Sequence, residues 1–257
     1  VFKIFRNKKC YYMYKIYLKQ LLLWVESDGS IIDYPKFPLI FKETPFCYVS
    51  KMLFVISNIL SIEYNEKLLN ILRNGLKFFS NIILFNGETQ YYGRSMNSIY
   101  GYSNLFSALN ISISNNFINL DNDMKILYNK TKNIILNNFF INEKYIFLYQ
   151  DNENIDDIDS YINHADYISY SSYILLKHAV NGYFPDTKQL KDKEIIKTNN
   201  WLKYANNEIN IIFTLSGQIK FLERNIDPRY SGLIPLKVLK KNKNIFSPIP
   251  NNFDKWQ

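Results

Sequence analysis

Within NGETQYYGRSMNSIYGYSNL (residues 86–105), the run from Tyr91 to Asn97 places an arginine, an amide and two phenols side by side. Gly93 suits a tight turn and Ser95 a helix N-cap, so a helix is expected from Met96 with Arg94 at its mouth. Asn97 and Tyr100, three residues apart, then share a face of its first turns. A glycan reaching that end would meet guanidinium, amide and phenol together. The structural alternative has Arg94 paired with Asp28 or Glu88 and the tyrosines packed with their hydroxyls satisfied.

His164, in YINHADY, stands by helical geometry next to Tyr161, Ala165 and Ile168, while Asp166 points to another face and makes no dyad with it. His178, near the far end of the same helix, reads as a partner for the negative end of the helix dipole. Asp28, Asp33, Glu88 and Asp186 fall in loops, where two carboxylates could serve a glycosidase as acid and base, or simply build turns and helix starts. The chain has no P-loop, dinucleotide fingerprint, HExxH or GxSxG sequence, which removes support for nucleotide, zinc-protease and serine-hydrolase chemistry. Cys10 and Cys47 lack metal-ligand spacing and read as core thiols. No metal and no cofactor is expected. The glycosylation sequons at Asn110 and Asn129 carry meaning only in a secreted eukaryotic protein.

The elements that would position these residues are helical. Tyr48, Val49, Met52, Val55, Ile56, Ile59 and Leu60 recur at threes and fours, predicting a helix from about Thr44-Pro45 that is apolar around most of its circumference and buried on several sides. NEKLLNILRNGLKFFSNIIL follows with Leu68, Leu72, Leu76, Phe79 and Ile83 on one face, as an outer partner should. Ile99, Tyr102, Phe106 and Leu109 repeat the inner pattern, Met124, Leu127, Thr131, Ile134 and Ile135 the outer one, and residues 158–180 predict a third inner helix. A polar turn (SDGSIIDYP, NGETQYYGRS, DNENIDD) precedes each inner helix, a loose internal repeat. Stacked hairpins of this kind gather their turns at one end, where they make a cleft. From about Lys191 the runs EIIK, NEINIIFTLSG and LIPLKVL read as strands.

With 257 residues the chain can bury one large core and a smaller appendage. Its 21 Tyr, together with abundant Asn, Ile and Lys, fit an AT-rich coding sequence, so tyrosine abundance alone marks no site. The net charge of +8 favours a polyanionic partner, and because Lys and Arg are spread along the chain an acidic glycan fits better than nucleic acid. Lys3, Arg6, Lys8, Lys9, Lys15 and Lys19 interleave with aromatics near the start, but Leu21–Val25 ends at Glu26, too short an apolar run to span a bilayer. No small-residue cleavage site follows it, so no signal peptide is expected, the opening on Val1 reads as a missing true N-terminus, and strands that end at NNFDKWQ without a closing element read as a fragment.

In order along the chain, DGSIIDYP, Y-x-x-K-M-L-F-V, YYGRSMNSIYGYSNL, GYFPD and DPRYSGLIPL resemble the heparinase II/III-like polysaccharide lyases. That resemblance implies a mainly α fold, an incomplete (α/α) toroid of helical hairpins over residues 1–190, followed by the start of an antiparallel β-sandwich-like domain over 191–257. It implies β-elimination across C4 and C5 of a uronic acid in an acidic polysaccharide. The reaction needs a group that neutralises the carboxylate, a base for the C5 proton and an acid for the leaving oxygen. By resemblance Asn97 or Arg94 neutralises, Tyr92, Tyr100 or His164 moves protons, and Asp28, Tyr34, Tyr48, Lys51 and Tyr91 contact substrate. The chain departs from the pattern where Val49 stands in place of the histidine expected after Tyr48, and in lacking the histidines and metal ligands such lyases draw from their β part. A glycoside hydrolase on the same scaffold, or a noncatalytic glycan- or protein-binding module, are the rival readings.

Overall fold

The computed structural model describes residues 8–31, 46–89, 98–141, 145–146, 164–178, 193–197, 201–215, 235–241 and 243–246. Its helices are α1 (Lys8–Leu22), α2 (Phe46–Ile62), α3 (Glu66–Ile82), α4 (Ile99–Ser114), α5 (Asn122–Asn138) and α6 (His164–Lys177). A two-residue hairpin, β1 (Phe140–Ile141) and β2 (Tyr145–Ile146), lies between α5 and α6. Five strands follow: β3 (Lys193–Lys197), β4 (Trp201–Asn206), β5 (Ile209–Thr214), β6 (Pro235–Lys240) and β7 (Lys243–Phe246).

The architecture is the expected one, mainly α, with hairpins of inner and outer helices in an incomplete (α/α) toroid and an antiparallel sheet after them. Central α4 buries thirteen of its sixteen residues, so it must be covered on most sides, and it packs between α2 and α6 with α5 behind it. Ring contacts fix the direction of the inner helices. Tyr170 reaches Asn104 and Ser107 donates to the Ile174 carbonyl further along α4 and α6, while on α2 Lys51 lies over Tyr170 and Phe54, further along, meets His178 just past the end of α6. The inner helices α2, α4 and α6 therefore run parallel, with their N-termini at the same end.

Outer helices α3 and α5 are built alike. Each spans seventeen residues and is capped by a side chain: Asn65 accepts from the Leu68 amide at 3.2 Å and Asp121 from the Met124 amide at 2.9 Å. Asp121 is exposed, so Asp121→Ala removes only the cap and a favourable charge at the positive helix end. The expected cost is ~1 kcal/mol, read as a lower midpoint in urea unfolding with an unchanged slope.

The repeat extends to the turns. Gly29 and Gly87 both take φ of +89°, and each packs against the ninth residue of an outer helix, Asn74 in α3 and Lys130 in α5. In the first turn the Glu26 amide donates to the Ser30 carbonyl, and Val25 and Ile31 pair as an isolated bridge. In the second the Leu84 amide donates to the Glu88 carbonyl.

The sheet is a meander in sequence order, β3 to β7, with every neighbour antiparallel. Lys203, Ala205, Asn210, Ile212 and Leu239 form its buried face, and Ile212 and Leu239 join the hydrophobic core of the helices. Lys203 is buried too, its ammonium pairing with Glu194 at 3.3 Å and donating to the Asn81 carbonyl at the end of α3 at 3.1 Å.

Some expectations need correction. Helix α4 starts at Ile99, with Ser98 as its extended N-cap residue, rather than at Met96 behind Ser95. Strands β4 and β7 and the β1–β2 hairpin were not expected. Cys47 is buried as a core thiol should be, but Cys10 is partly exposed. The Asn110 sequon is 1% exposed and closed to modification in the fold. Among the described residues no helix is long and apolar enough to cross a membrane.

Candidate functional site

Parallel inner helices bring Lys51 of α2, Tyr100 and Asn104 of α4, and Tyr167 and Tyr170 of α6 to one place. The Lys51 ammonium lies 5.5 Å from the Tyr100 ring centre and 5.9 Å from that of Tyr170. Tyr100 meets Tyr167 edge-on at 4.7 Å and Tyr170 at 5.3 Å. A cation over two phenol faces is held by the ring quadrupoles while its N–H groups remain free to donate outward. Lys51 is exposed, Tyr167 and Tyr170 are half-buried, and Tyr100 is 7% exposed beneath them.

The support is hydrogen-bonded. The Tyr170 hydroxyl donates to Asn104 Oδ1 at 2.9 Å, and Asn104 Nδ2 donates to the Tyr100 carbonyl at 2.6 Å, one helical turn back. Asn104 is fully buried, so its orientation and that of the Tyr170 ring are fixed together.

Electrostatics hold both phenols protonated. Burial drives the Tyr100 hydroxyl above the usual phenol range, reinforced by the Cys47 thiol and by Tyr167. Burial also raises Tyr170, with Tyr100 adding and Lys51 and the Asn104 hydrogen bond opposing. Groups in this state stay protonated and act as neutral hydrogen-bonding hydroxyls rather than phenolate bases. The cluster can thus receive an anion at Lys51, beside the Tyr100 and Tyr170 rings.

Of the residues singled out by sequence, Lys51 and Tyr100 come together here, and Tyr48, three before Lys51, shares its face of α2 and is partly exposed. Asp28 sits in the first glycine turn, where its Oδ1 accepts from the Ser30 amide at 3.0 Å and the Ser30 hydroxyl at 2.6 Å. His164 is the first residue of α6. Tyr34, Tyr91, Tyr92, Arg94 and Asn97 lie outside the described residues, as do Asp33, Tyr161 and Asp186. His178 is not the cation its position suggested: its ring meets Phe54 at 5.4 Å, and burial, with Lys177 adding, lowers its pKa.

Sequence reasoning missed Asn104, Tyr167 and Tyr170. Tyr167 and Tyr170 are three apart on α6, and Tyr100 and Asn104 four apart on α4, so helical spacing would have grouped each pair. Among the described residues no group of His, Cys, Asp and Glu is placed to hold a metal ion.

The fold is similar to that of a solved structure described as a polysaccharide lyase, with a TM-score of 0.50 and 13% sequence identity. The chain has a polysaccharide-lyase-like fold. The match covers 71% of this chain, which spans 59% of the length of that structure. Identity at this level speaks for the fold and leaves substrate to the site itself. No family model and no curated protein sequence matches the chain.

Proposed function

We propose that the protein binds an acidic, uronate-containing polysaccharide at the N-terminal end of its inner helices and cleaves it by β-elimination. The observation that carries this reading is the exposed Lys51 ammonium held over the Tyr100 and Tyr170 rings, a cation with protonated phenols beside it. The lyase-like fold supports it, as does the net charge of +8, which draws a polyanion toward the protein.

In this reading Lys51, with Arg94 and Asn97, neutralises the uronate carboxylate and so acidifies the C5 proton. Tyr92 or His164 accepts that proton. The C5–H and C4–O bonds break, a C4–C5 double bond forms, and Tyr100 donates a proton to the departing oxygen, the Tyr170 proton being held by Asn104. The raised phenol pKa values argue against Tyr100 as the base. Tyr34, Tyr48, Tyr91 and Asp28 contribute to holding the chain of sugars.

The test is the ultraviolet absorbance of the unsaturated uronate released from a panel of acidic polysaccharides. Lys51→Ala should weaken substrate affinity about tenfold, and Tyr100→Phe should lower turnover with smaller change in affinity. Absorbance that does not rise on any substrate, with binding retained and sensitive to Lys51→Ala, would replace the lyase by a noncatalytic glycan binder. The deep burial of Tyr100 favours that second reading. Failure of the panel to bind at all ends both.

A further inference from the structure

Lys51 also borders a second space. Between α1 and α2 lies a cavity of about 320 Å³, walled by Leu18, Leu21, Trp24, Met52, Val55 and Ile59 and by the stem of Lys51. Among the described residues that line it, Lys51 alone is charged. Its volume reaches the range of small-ligand sites, ~300–1,000 Å³.

Hydrocarbon walls are the wrong lining for a sugar, whose hydroxyls would lose water and gain few partners. A bare apolar ligand would leave the charge of Lys51, a lining residue, unused. One chemistry suits both ends, a hydrocarbon body ending in an anion. Helix α1, which forms one wall, carries Lys8, Lys9, Lys15 and Lys19 and no acidic residue, with Glu63 near enough to act on Lys15. Helix α1 itself has no fully buried residue and rests on the core through the partly buried Tyr14, Leu18, Leu21 and Leu22, so the outer wall can shift to admit a guest.

We propose that this cavity binds an amphiphilic anion, a carboxylate on an aliphatic chain, with its body between α1 and α2 and its head at the Lys51 ammonium. The site is separate from sugar recognition in its walls and shares only the cation. It does not depend on the glycan reading.

The experiment is titration of the full chain with decanoate and, as the uncharged counterpart, 1-decanol, followed by calorimetry and by tryptophan fluorescence, Trp24 in the cavity wall being one of the chain's three tryptophans. Wild-type protein should bind decanoate saturably. Lys51→Met, which keeps the stem and removes the charge, should bind decanoate about tenfold more weakly and decanol unchanged. Val55→Trp, placed at a residue 45% exposed where the ring has room to be accommodated, should block both ligands while circular dichroism stays native. The proposal is overturned if wild type takes up no decanoate, if Lys51→Met binds both ligands as wild type does, or if Val55→Trp leaves binding intact. Absent uptake together with a dimer in sedimentation would assign the groove to a second copy of the chain instead.

Discussion

Gly29→Ala is expected to lower the stability of the helical part by about 3 kcal/mol, from two costs that add. The residue takes φ of +89°, where a side chain strains the backbone by about 1–2 kcal/mol. A Cβ there would also stand 2.2 Å from the Asn74 carbonyl oxygen. That oxygen belongs to the backbone of α3, so relief requires the turn to lift off the helix rather than a side chain to rotate. Gly87→Ala meets the same φ but a looser contact, 2.8 Å from the Lys130 carbonyl, and should cost less, about 2 kcal/mol. Urea unfolding of both variants checks the order as well as the size. A Gly29→Ala protein within 1 kcal/mol of wild type would mean that the turn is not docked on α3.

This pair of glycines shows what a sequence discloses and what it withholds. That SDGS and FNGE are turns is plain from Asp-Gly and Asn-Gly. That both dock against the ninth residue of the helix two elements on follows only from the packed hairpins. Helices α2, α3 and α5 were legible because their apolar residues face a core at a strict 3.6-residue period, whatever that core proves to be. The start of α4 was not, because RSMNS offers two serines with equal capping chemistry, while Ser98 precedes the helix with an extended backbone and makes no side-chain cap hydrogen bond.

Strand β4 was hidden for a different reason. WLKYAN places Lys203 on the buried face, which breaks the alternation that marks a half-buried strand. Glu194 and the Asn81 carbonyl help make its charge tolerable, and neither is adjacent in sequence. The candidate site divides along the same line. Lys51 and Tyr100 could be picked out singly, but the cluster joins α4 to α6 across 66 residues, from Asn104 to Tyr170, and no local pattern reports a contact of that range. Tyrosine was too common in this chain for Tyr167 and Tyr170 to stand out.

Where the sheet meets the helices, stability should depend on pH through Lys130. Its ammonium donates to the Leu84 carbonyl at 2.8 Å and lies 5.7 Å from the Phe85 ring, with Lys203 and Glu194 of β4 and β3 close enough to act on it. Burial, then repulsion from Lys203, lowers its pKa from 10.5 to about 7, with Glu194 opposing. The folded protein therefore holds fewer protons than the unfolded chain between those two values, and stability rises with pH across that window. Below about pH 7 the penalty of the buried charge is present in full. Lys130→Met should remove this dependence. Part of the Lys130 surface still meets solvent, and the lost hydrogen bond offsets part of the gain, since the Leu84 carbonyl keeps only the Gly87 amide as donor. The expected net effect is a variant about 1 kcal/mol more stable than wild type at pH 6, the advantage shrinking and then reversing toward pH 10. Urea unfolding at a series of pH values measures it. Parallel curves for the two proteins between pH 6 and pH 10 would show that Lys130 stays charged at the interface, with Glu194 rather than burial setting its state.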